Sequence, residues 1–333
     1  MRQPVAVFTD TEDLDPEPGA KLLADAGFDV RVAGSRDPDV LAAAAEDAVA
    51  LIVGYARVDA ALLDRLPRLR ILATMSAGHD MIDTEAARRR GLWVTNLPGT
   101  ATEDVAVHAL ASALSLVRHL ARADAVVRTG GWNADFVDPS DGSPLPRRTS
   151  ELTLGLVGFG RIARRLATLA APVFGRIAAY DPHADHTHWP AGVERCETLA
   201  ALAATTDVLS LHLPLTPATH GLVDAGLLNR MPRGSFLVNV ARGELVYPEA
   251  LLEAVTSGRL AGAALDVLPV EPPPADDPMR RHPRIRLSPH CAYLSDASRR
   301  AYVCEPAENV IAWHRTGRPL NPVVDPTARG VHP

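Results

Sequence analysis

Three residues in the second half of the chain, Arg242, Glu271 and His290, have side chains that together suit chemistry on a 2-oxo or 2-hydroxy acid. Arginine presents a planar fork of N–H donors that matches a carboxylate. Histidine titrates near neutrality, so it can give a proton to a carbonyl oxygen or take one from an alcohol, and a neighbouring glutamate stabilises its charged form. Each residue taken singly is more often a solvated surface residue, so the hypothesis depends on the three acting together.

Predicted strands position these side chains, because each of the three residues follows an apolar run that reads as a buried strand. The carboxyl ends of neighbouring parallel strands face the ligand-binding crevice of an open α/β sheet. The three runs are residues 236–240, 263–267 and 285–287. The pattern therefore predicts that the arginine, the glutamate and the histidine lie along one edge of a parallel sheet.

A glycine-rich turn between a strand and a helix predicts a dinucleotide site. Gly158, Gly160 and Ala163 form the pattern G-x-G-x-x-A after the apolar run 154–157. The first glycine allows the tight turn, the second lets the backbone approach a pyrophosphate, and the third position is small so that helix and strand can pack. The helix start adds unpaired N–H groups and a positive dipole end. Alone this motif is weak, since similar patterns also occur in tight loops.

Asp181 strengthens the interpretation because it follows the next predicted strand, residues 177–180, about twenty positions after the glycines. A carboxylate there can accept hydrogen bonds from the two hydroxyls of an adenosine ribose. It also disfavours a 2′-phosphate, since two like charges near 4 Å repel by roughly 4 kcal/mol at an effective dielectric constant of about 20. The sequence therefore predicts NAD rather than NADP. The alternative is that Asp181 and Pro182 simply open a turn.

Composition argues against several other classes of protein. The 333 residues suffice for two domains with their own cores, and a formal charge of −6 with mixed signs provides no basic field for nucleic acid. The sequence contains no run of about 18 uncharged apolar residues, so no membrane span is predicted. The three cysteines, Cys196, Cys291 and Cys304, lack paired spacing. That pattern favours free thiols and a cytoplasmic location.

A histidine cluster after Asp181 raises the alternative of a metal site. It consists of His183, His186 and His188. The cluster has no fixed periodicity and lies in a segment expected beside the adenine pocket. We therefore interpret it as a solvated loop and predict no metal.

The order of the apolar runs predicts an α/β fold with two domains. Residues 1–100 alternate strands with alanine-rich helices, which indicates a parallel sheet covered by helices. Residues 102–127 predict one helix of about seven turns, suited to a domain connector or a dimer contact. Residues 130–150 read as a loop, after which the second sheet begins. A further helix is predicted over 296–316, and 319–333 reads as a tail.

Several ordered motifs resemble those of the D-isomer-specific 2-hydroxyacid dehydrogenases over nearly the whole chain. Residues 238–245, VNVARGEL, resemble the arginine motif of that family; 265–272, LDVLPVEP, its glutamate motif; and 288–292, SPHCA, its histidine motif. Further matches are residues 74–83, 94–99, 131–132 and 211–217. Val107 departs from the pattern, since many relatives carry an acidic residue there.

The resemblance implies a role for individual residues. His290 would be the general acid in reduction, Glu271 would orient and charge it, and Arg242 would bind the substrate carboxylate. The other candidate ligands fall into two groups. Backbone N–H groups of Ser76, Ala77 and Gly78 would bind the substrate, and the cofactor would be bound by Gly158, Gly160, Arg161, Ile162, Asp181, Thr102, Leu213, Pro214, Ala241 and Asp266.

The resemblance also implies an architecture of two Rossmann-like domains. An NAD-binding domain with a parallel sheet, residues 101–293, would be inserted into a flavodoxin-like substrate domain, residues 1–100 and 294–333. The NAD-binding domain would include the connecting helix 102–127, which builds a homodimer in relatives.

The choice of substrate is less readable than the reaction. Met75 and Ser76 provide no basic residue for a phosphorylated substrate, so the loop is more similar to that of glyoxylate and hydroxypyruvate reductases. Phe136, Tyr293 and Leu294 are candidates to flank the pocket and to favour a bulkier 2-oxo acid. Residues 290–295 are similar to the C-terminal-binding corepressors, so an NAD-sensing binding or scaffold protein with little turnover is the alternative function.

Overall fold

Two units divide the chain in the computed structural model, which describes residues 3–11, 14–132, 137, 145–185 and 189–328. The first unit comprises Met1–Ala101 and Leu294–Pro333, and the second, Thr102–Tyr293, lies between these two segments in the sequence. This division differs by one residue from the bounds expected from the sequence.

The sheet of the first unit has the strand order β13-β5-β4-β3-β1-β2. Within it, the order β2-β1-β3-β4-β5 is that of flavodoxin-like folds, and these five strands are parallel. Their apolar side chains are buried at β1, β4 and β5. The strands are β1 Val5–Phe8, β2 Asp29–Val32, β3 Ala48–Val53, β4 Ile71–Thr74, β5 Trp93–Thr95 and β13 Pro322–Val324.

The prediction of a tail over residues 319–333 was wrong at Pro322–Val324, which forms β13 and pairs antiparallel with β5. Val324 is buried at the edge of the first hydrophobic core. A strand of three residues is too short to show a period, and its leading proline is tolerated only because the strand is at the sheet edge.

Helix α12, Asp296–Thr316, extends over the range predicted from its apolar period. It begins with a capping box between Ser295 and Ser298 and ends at Gly317, whose φ of 79° suits glycine. It packs against α1. The other helices of this unit are α1 Glu17–Asp25, α2 Pro38–Ala44, α3 Ala60–Asp64 and α4 Thr84–Arg89.

The sheet of the second unit has the order β12-β11-β10-β9-β6-β7-β8, and all its pairs are parallel. This is the doubly wound Rossmann order with one added edge strand, and the order reverses between β6 and β9. The short strand β8 was not predicted. The strands are β6 Thr153–Val157, β7 Arg176–Tyr180, β8 Val193–Arg195, β9 Val208–Leu211, β10 Ser235–Asn239, β11 Leu260–Leu265 and β12 Ile285–Leu287.

The prediction of one helix over residues 102–127 was wrong. The chain forms α5, Thr102–Val117, and α6, Leu120–Arg128, separated by His119 in the left-handed conformation with φ of 53°. The apolar period continues through the break, but the His119 ring is buried and approaches Phe236 edge-on at 6.4 Å between centroids. Tertiary packing at His119 therefore overrides local helical periodicity.

Five further helices cover the second sheet: α7 Arg161–Ala170, α8 Leu199–Thr205, α9 Ala225–Leu228, α10 Pro248–Thr256 and α11 Pro278–Arg281. Helix α5 packs against α7 and β10 and contributes Ala106, Ala109 and Ala113 to the core. Of the helices described, none combines the length and apolar character needed to cross a bilayer. The three cysteines are free thiols.

Candidate active site

The turn after β6 is shaped by Gly158, which has a φ of 82°. A Cβ there would lie 2.5 Å from the carbonyl oxygen of His212, so a side chain is excluded by space as well as by conformation. The Gly158 N–H donates to the carbonyl of Tyr180 at 2.9 Å, which ties the turn to the end of β7. The first glycine of the motif is thus required by the protein's own backbone.

Gly160 serves a different purpose. It is the N-cap of α7, and a Cβ on it would meet no heavy atom within 4 Å. The space in front of the helix start is therefore open, as an approaching pyrophosphate requires. Arg161 and Ile162 form the first turn, and Ala163 is fully buried against the sheet.

Asp181 follows β7 directly, and both its carboxylate oxygens are fixed. Oδ2 accepts from the N–H of Phe159 at 2.8 Å, and Oδ1 accepts from the N–H of His183 at 2.8 Å. The residue therefore both opens a turn and joins the glycine loop. A carboxylate has about four acceptor positions, so two remain for the hydroxyls of a ribose.

The segment after β9 contains a histidine that stays neutral. Burial lowers the pKa of His212 to about 3, and its Nε2 lies 2.8 Å from Ser210 Oγ. Its backbone carbonyl is the group that restricts Gly158. The next two residues, Leu213 and Pro214, are partly buried and exposed respectively, and the Pro214 carbonyl accepts from the Thr219 hydroxyl at 2.8 Å.

His290 and Glu271 are brought together as predicted for an acid–base pair. His290 Nδ1 lies 2.7 Å from Glu271 Oε2, and the two side chains keep 26% and 34% of their exposure. The other glutamate oxygen accepts from the N–H of Leu268 at 2.8 Å, so the carboxylate is held from both ends. Because Nδ1 faces Glu271, proton exchange with a substrate would use Nε2.

Asp266, expected near a nicotinamide, also shapes the histidine segment, a role that the sequence analysis missed. Its carbonyl accepts from the His290 N–H at 2.8 Å. Its buried carboxylate accepts from the N–H groups of Cys291 and Ala292 at 3.0 and 2.8 Å and from the Ser288 hydroxyl. These bonds surround His290, whose φ of 50° is unusual for a residue with a side chain.

Arg242 lies in a tight turn after β10. The amide of Asn239 donates to the Arg242 carbonyl at 2.8 Å and accepts from the Ala241 N–H at 3.0 Å. The next residue, Gly243, approaches the loop of the glutamate so closely that a Cβ would lie 2.0 Å from the Leu268 carbonyl carbon. The half-buried arginine and Glu271 are therefore carried by two loops in direct contact.

The predicted substrate loop, Ser76, Ala77 and Gly78, belongs to the first unit. The Ser76 carbonyl accepts from the Leu97 N–H at 3.0 Å and from the Thr74 hydroxyl at 2.9 Å. The Ala77 carbonyl accepts from the Asn96 amide at 2.7 Å, and the Gly78 carbonyl accepts from the Ser76 hydroxyl at 2.6 Å. Within the described part of the chain, the three N–H groups of this loop have no acceptor. Successive N–H groups of this kind are suited to an anion.

The remaining expected residues are less informative. Thr102 begins α5, and Ala241 is partly buried beside the arginine turn. Phe136, His186 and His188 lie outside the described residues, and His183 is exposed. Tyr293 and Leu294 fall on opposite sides of the division between the units.

Comparisons with known proteins identify the family to which the chain is similar. The family model described as D-isomer specific 2-hydroxyacid dehydrogenase, NAD binding domain, matches residues 110–292. A glyoxylate reductase of Korarchaeum cryptofilum is 37% identical over 268 residues, 79% of each chain. An NADPH-dependent glyoxylate/hydroxypyruvate reductase from Sinorhizobium meliloti, solved with NADP and malonate, is 29% identical with a TM-score of 0.86 over the whole of both chains. A D-lactate dehydrogenase from Aquifex aeolicus, solved with NAD and lactic acid, is 27% identical with a TM-score of 0.83 over 96% of this chain and 99% of its own.

Proposed function

Because the chain belongs to the D-isomer-specific 2-hydroxyacid dehydrogenase family, we propose that it is an NAD(H)-dependent enzyme that interconverts a small 2-oxo acid and a D-2-hydroxy acid. The observation that carries this proposal is the 2.7 Å pairing of His290 Nδ1 with Glu271 Oε2. An intact acid–base pair favours turnover over the alternative of a cofactor-sensing scaffold.

In the direction of reduction, His290 Nε2–H would give its proton to the carbonyl oxygen of the substrate. A nicotinamide cofactor held beside the glycine turn and Asp181 would supply the hydride chemistry. Glu271 fixes the ring and stabilises the imidazolium before the transfer. Arg242 would bind the substrate carboxylate through its guanidinium fork. In the first unit, the N–H groups of Ser76, Ala77 and Gly78 are the candidate substrate-binding groups, because successive N–H groups are suited to an anion. After the transfer, the neutral histidine is ready to be protonated again by water.

The preference for NAD(H) rests on Asp181. The fixed carboxylate would accept from both ribose hydroxyls, and it would repel a 2′-phosphate at the same position. Gly160, Arg161 and Ile162 would bind the pyrophosphate, and Gly158 would shape the turn that presents them. The related structures include both NADP and NAD complexes, so the relatives do not decide this point.

For the substrate we propose a small 2-oxo acid without a phosphate group, such as glyoxylate or hydroxypyruvate. Met75 and Ser76 provide no cation for a phosphate group, and a relative at 37% identity is a glyoxylate reductase.

The free thiols fit a cytoplasmic enzyme.

We further propose a homodimer formed through α5 and α6. Val107, Leu120 and Val127 on these helices are large apolar residues with 47%, 57% and 48% exposure. A second copy covering these side chains would remove them from water. Light scattering on the purified protein measures the mass directly.

A substrate panel tests the proposed reaction. We expect the full chain to oxidise NADH with at least one of glyoxylate, hydroxypyruvate, phenylpyruvate and a branched 2-oxo acid. We expect His290→Ala to lower kcat by about 10³ because the proton donor is lost. Absence of turnover across the panel with both NADH and NADPH, together with NAD-dependent capture of a partner that survives His290→Ala, would establish the scaffold alternative.

A further inference from the structure

A hydrogen-bonded chain links helix α5 to the segment that carries His290. His108, in α5, places Nε2 3.1 Å from Ser288 Oγ. The Ser288 hydroxyl donates to Asp266 Oδ1, and the distance between His108 Nε2 and that oxygen is 3.8 Å. The chain therefore runs from His108 through Ser288 to the buried carboxylate of Asp266.

The direction of these hydrogen bonds follows from counting hydrogens. A carboxylate only accepts hydrogen bonds, and Asp266 Oδ1 accepts from the Ser288 hydroxyl and from the Cys291 N–H. The single hydrogen of the Ser288 hydroxyl is used toward the carboxylate. The serine oxygen is then the acceptor for His108, and His108 Nε2 must carry a hydrogen.

We propose that His108 is a positioning residue for the catalytic histidine, acting through Ser288 and Asp266. This inference rests on the proposed reaction. Asp266 accepts from the N–H of His290 through its carbonyl, and from the N–H groups of Cys291 and Ala292, directly after the sharp bend, through its carboxylate. A left-handed residue with a side chain persists only where its surroundings impose it. By fixing Ser288 and Asp266, His108 keeps His290 Nδ1 on Glu271.

A metal site is the competing explanation for the same residues. One donor atom each from His108, Asp266 and Cys291 lies within 4.8 Å of the others. A metal would need the Nε2 lone pair and a thiolate, whereas Nε2 carries a hydrogen in the chain described above. Burial, with the nearby Asp266 charge, also raises the pKa of the Cys291 thiol. The hydrogen bonds account for the cluster without an ion.

Paired substitutions test the positioning role. His108→Leu and Ser288→Ala remove a link, whereas His108→Gln and Ser288→Thr keep an N–H or a hydroxyl near the same place. We expect the first two to lower kcat about tenfold with KM for NADH changed less than about threefold, and the second two to recover most of kcat. Ala111→Ser, exposed on the same helix, is the control for α5.

A double substitution distinguishes one chain from two independent effects. His108→Leu with Ser288→Ala should lower kcat about as much as Ser288→Ala alone, because both break the same link. Unchanged kcat in His108→Leu, or losses that multiply to about 100-fold in the double variant, would overturn the inference. So would zinc binding at one equivalent that is lost in both His108→Leu and Cys291→Ser.

Amide hydrogen exchange separates this inference from the proposed reaction. In His108→Leu and Ser288→Ala, the N–H groups of Cys291 and Ala292 should exchange at least about fivefold faster, with the core strand β6 unchanged. This readout does not depend on turnover. A wild-type protein inactive on the substrate panel would refute the proposed reaction. Unchanged hydrogen exchange at Cys291 and Ala292 in the variants would refute the positioning role of His108.

Discussion

The two ends of the second sheet present their candidate ligand-binding groups by different means. Around β6 and β7 the site is made of backbone: Gly158 provides a turn, Gly160 an open helix start, and Asp181 is fixed by two N–H groups. Around β10–β12 the site is made of side chains, with His290 paired to a residue 19 positions earlier. The first end is suited to a cofactor that approaches the backbone, and the second holds the side chain proposed to transfer a proton.

This contrast predicts that substitutions around β10–β12 lower kcat and leave cofactor binding unchanged. We expect Glu271→Gln to lower kcat about 10²-fold, because the neutral amide keeps a hydrogen bond to His290 but no longer stabilises its charge. KM for NADH should change less than about threefold. Steady-state kinetics check both values, with the exposed Glu249→Gln as the control. Equal losses in kcat and NADH affinity would remove the distinction between the two ends.

Substitutions around β6 and β7 should instead change the choice of cofactor and leave kcat nearly unchanged. We expect Asp181→Ser to raise the ratio of kcat/KM for NADPH to that for NADH at least about tenfold, because the carboxylate no longer repels a 2′-phosphate or accepts from the ribose. The value of kcat at saturating NADH should stay within about threefold of the wild type. A ratio that does not move would show that Asp181 only opens the turn between β7 and β8.

The smallest expected effect concerns stability, at the position where the two ends meet. His212 is neutral in the folded protein because burial lowers its pKa to about 3, whereas in the unfolded chain it titrates near 6.5. Its contribution to stability is therefore complete above pH 6.5 and is lost progressively as the pH falls toward 3. At pH 5 the loss is on the order of 1 kcal/mol, since the residue is partly exposed.

His212→Gln should flatten that loss, because glutamine takes up no proton in the unfolded chain. Urea unfolding at pH 7.5 and pH 5 measures it as a smaller difference in the free energy of unfolding than in the wild type. Identical pH dependence in the two proteins would show that other groups control acid stability.

The part of this molecule that could be predicted from the sequence is the part encoded in short segments. The glycine turn and Asp181 lie within 24 consecutive residues, and α12 extends over the range its period indicates. The proximity of His290 and Glu271 was expected from the predicted strand ends that they follow, and again from the resemblance between motifs.

The missed features depend on contacts between distant segments. The break at His119 follows from packing against Phe236, which lies more than a hundred residues away. β8 and β13 are three residues long and gain their regularity only from a neighbouring strand. The hydrogen bonds of Asp266 to residues 288–292 join two strands, so no single stretch of sequence indicates them.

The close approach of Gly243 to Leu268 and Pro269 has a consequence for how such an enzyme can change its substrate. Any side chain at position 243 would force the loop of the glutamate away from the turn of the arginine, and with it the partner of His290. A shift of Arg242, the proposed carboxylate ligand, would therefore also move the loop that carries Glu271. A change of substrate would therefore have to come from residues elsewhere in the chain, while this glycine keeps the turn of the arginine in contact with the loop of the glutamate.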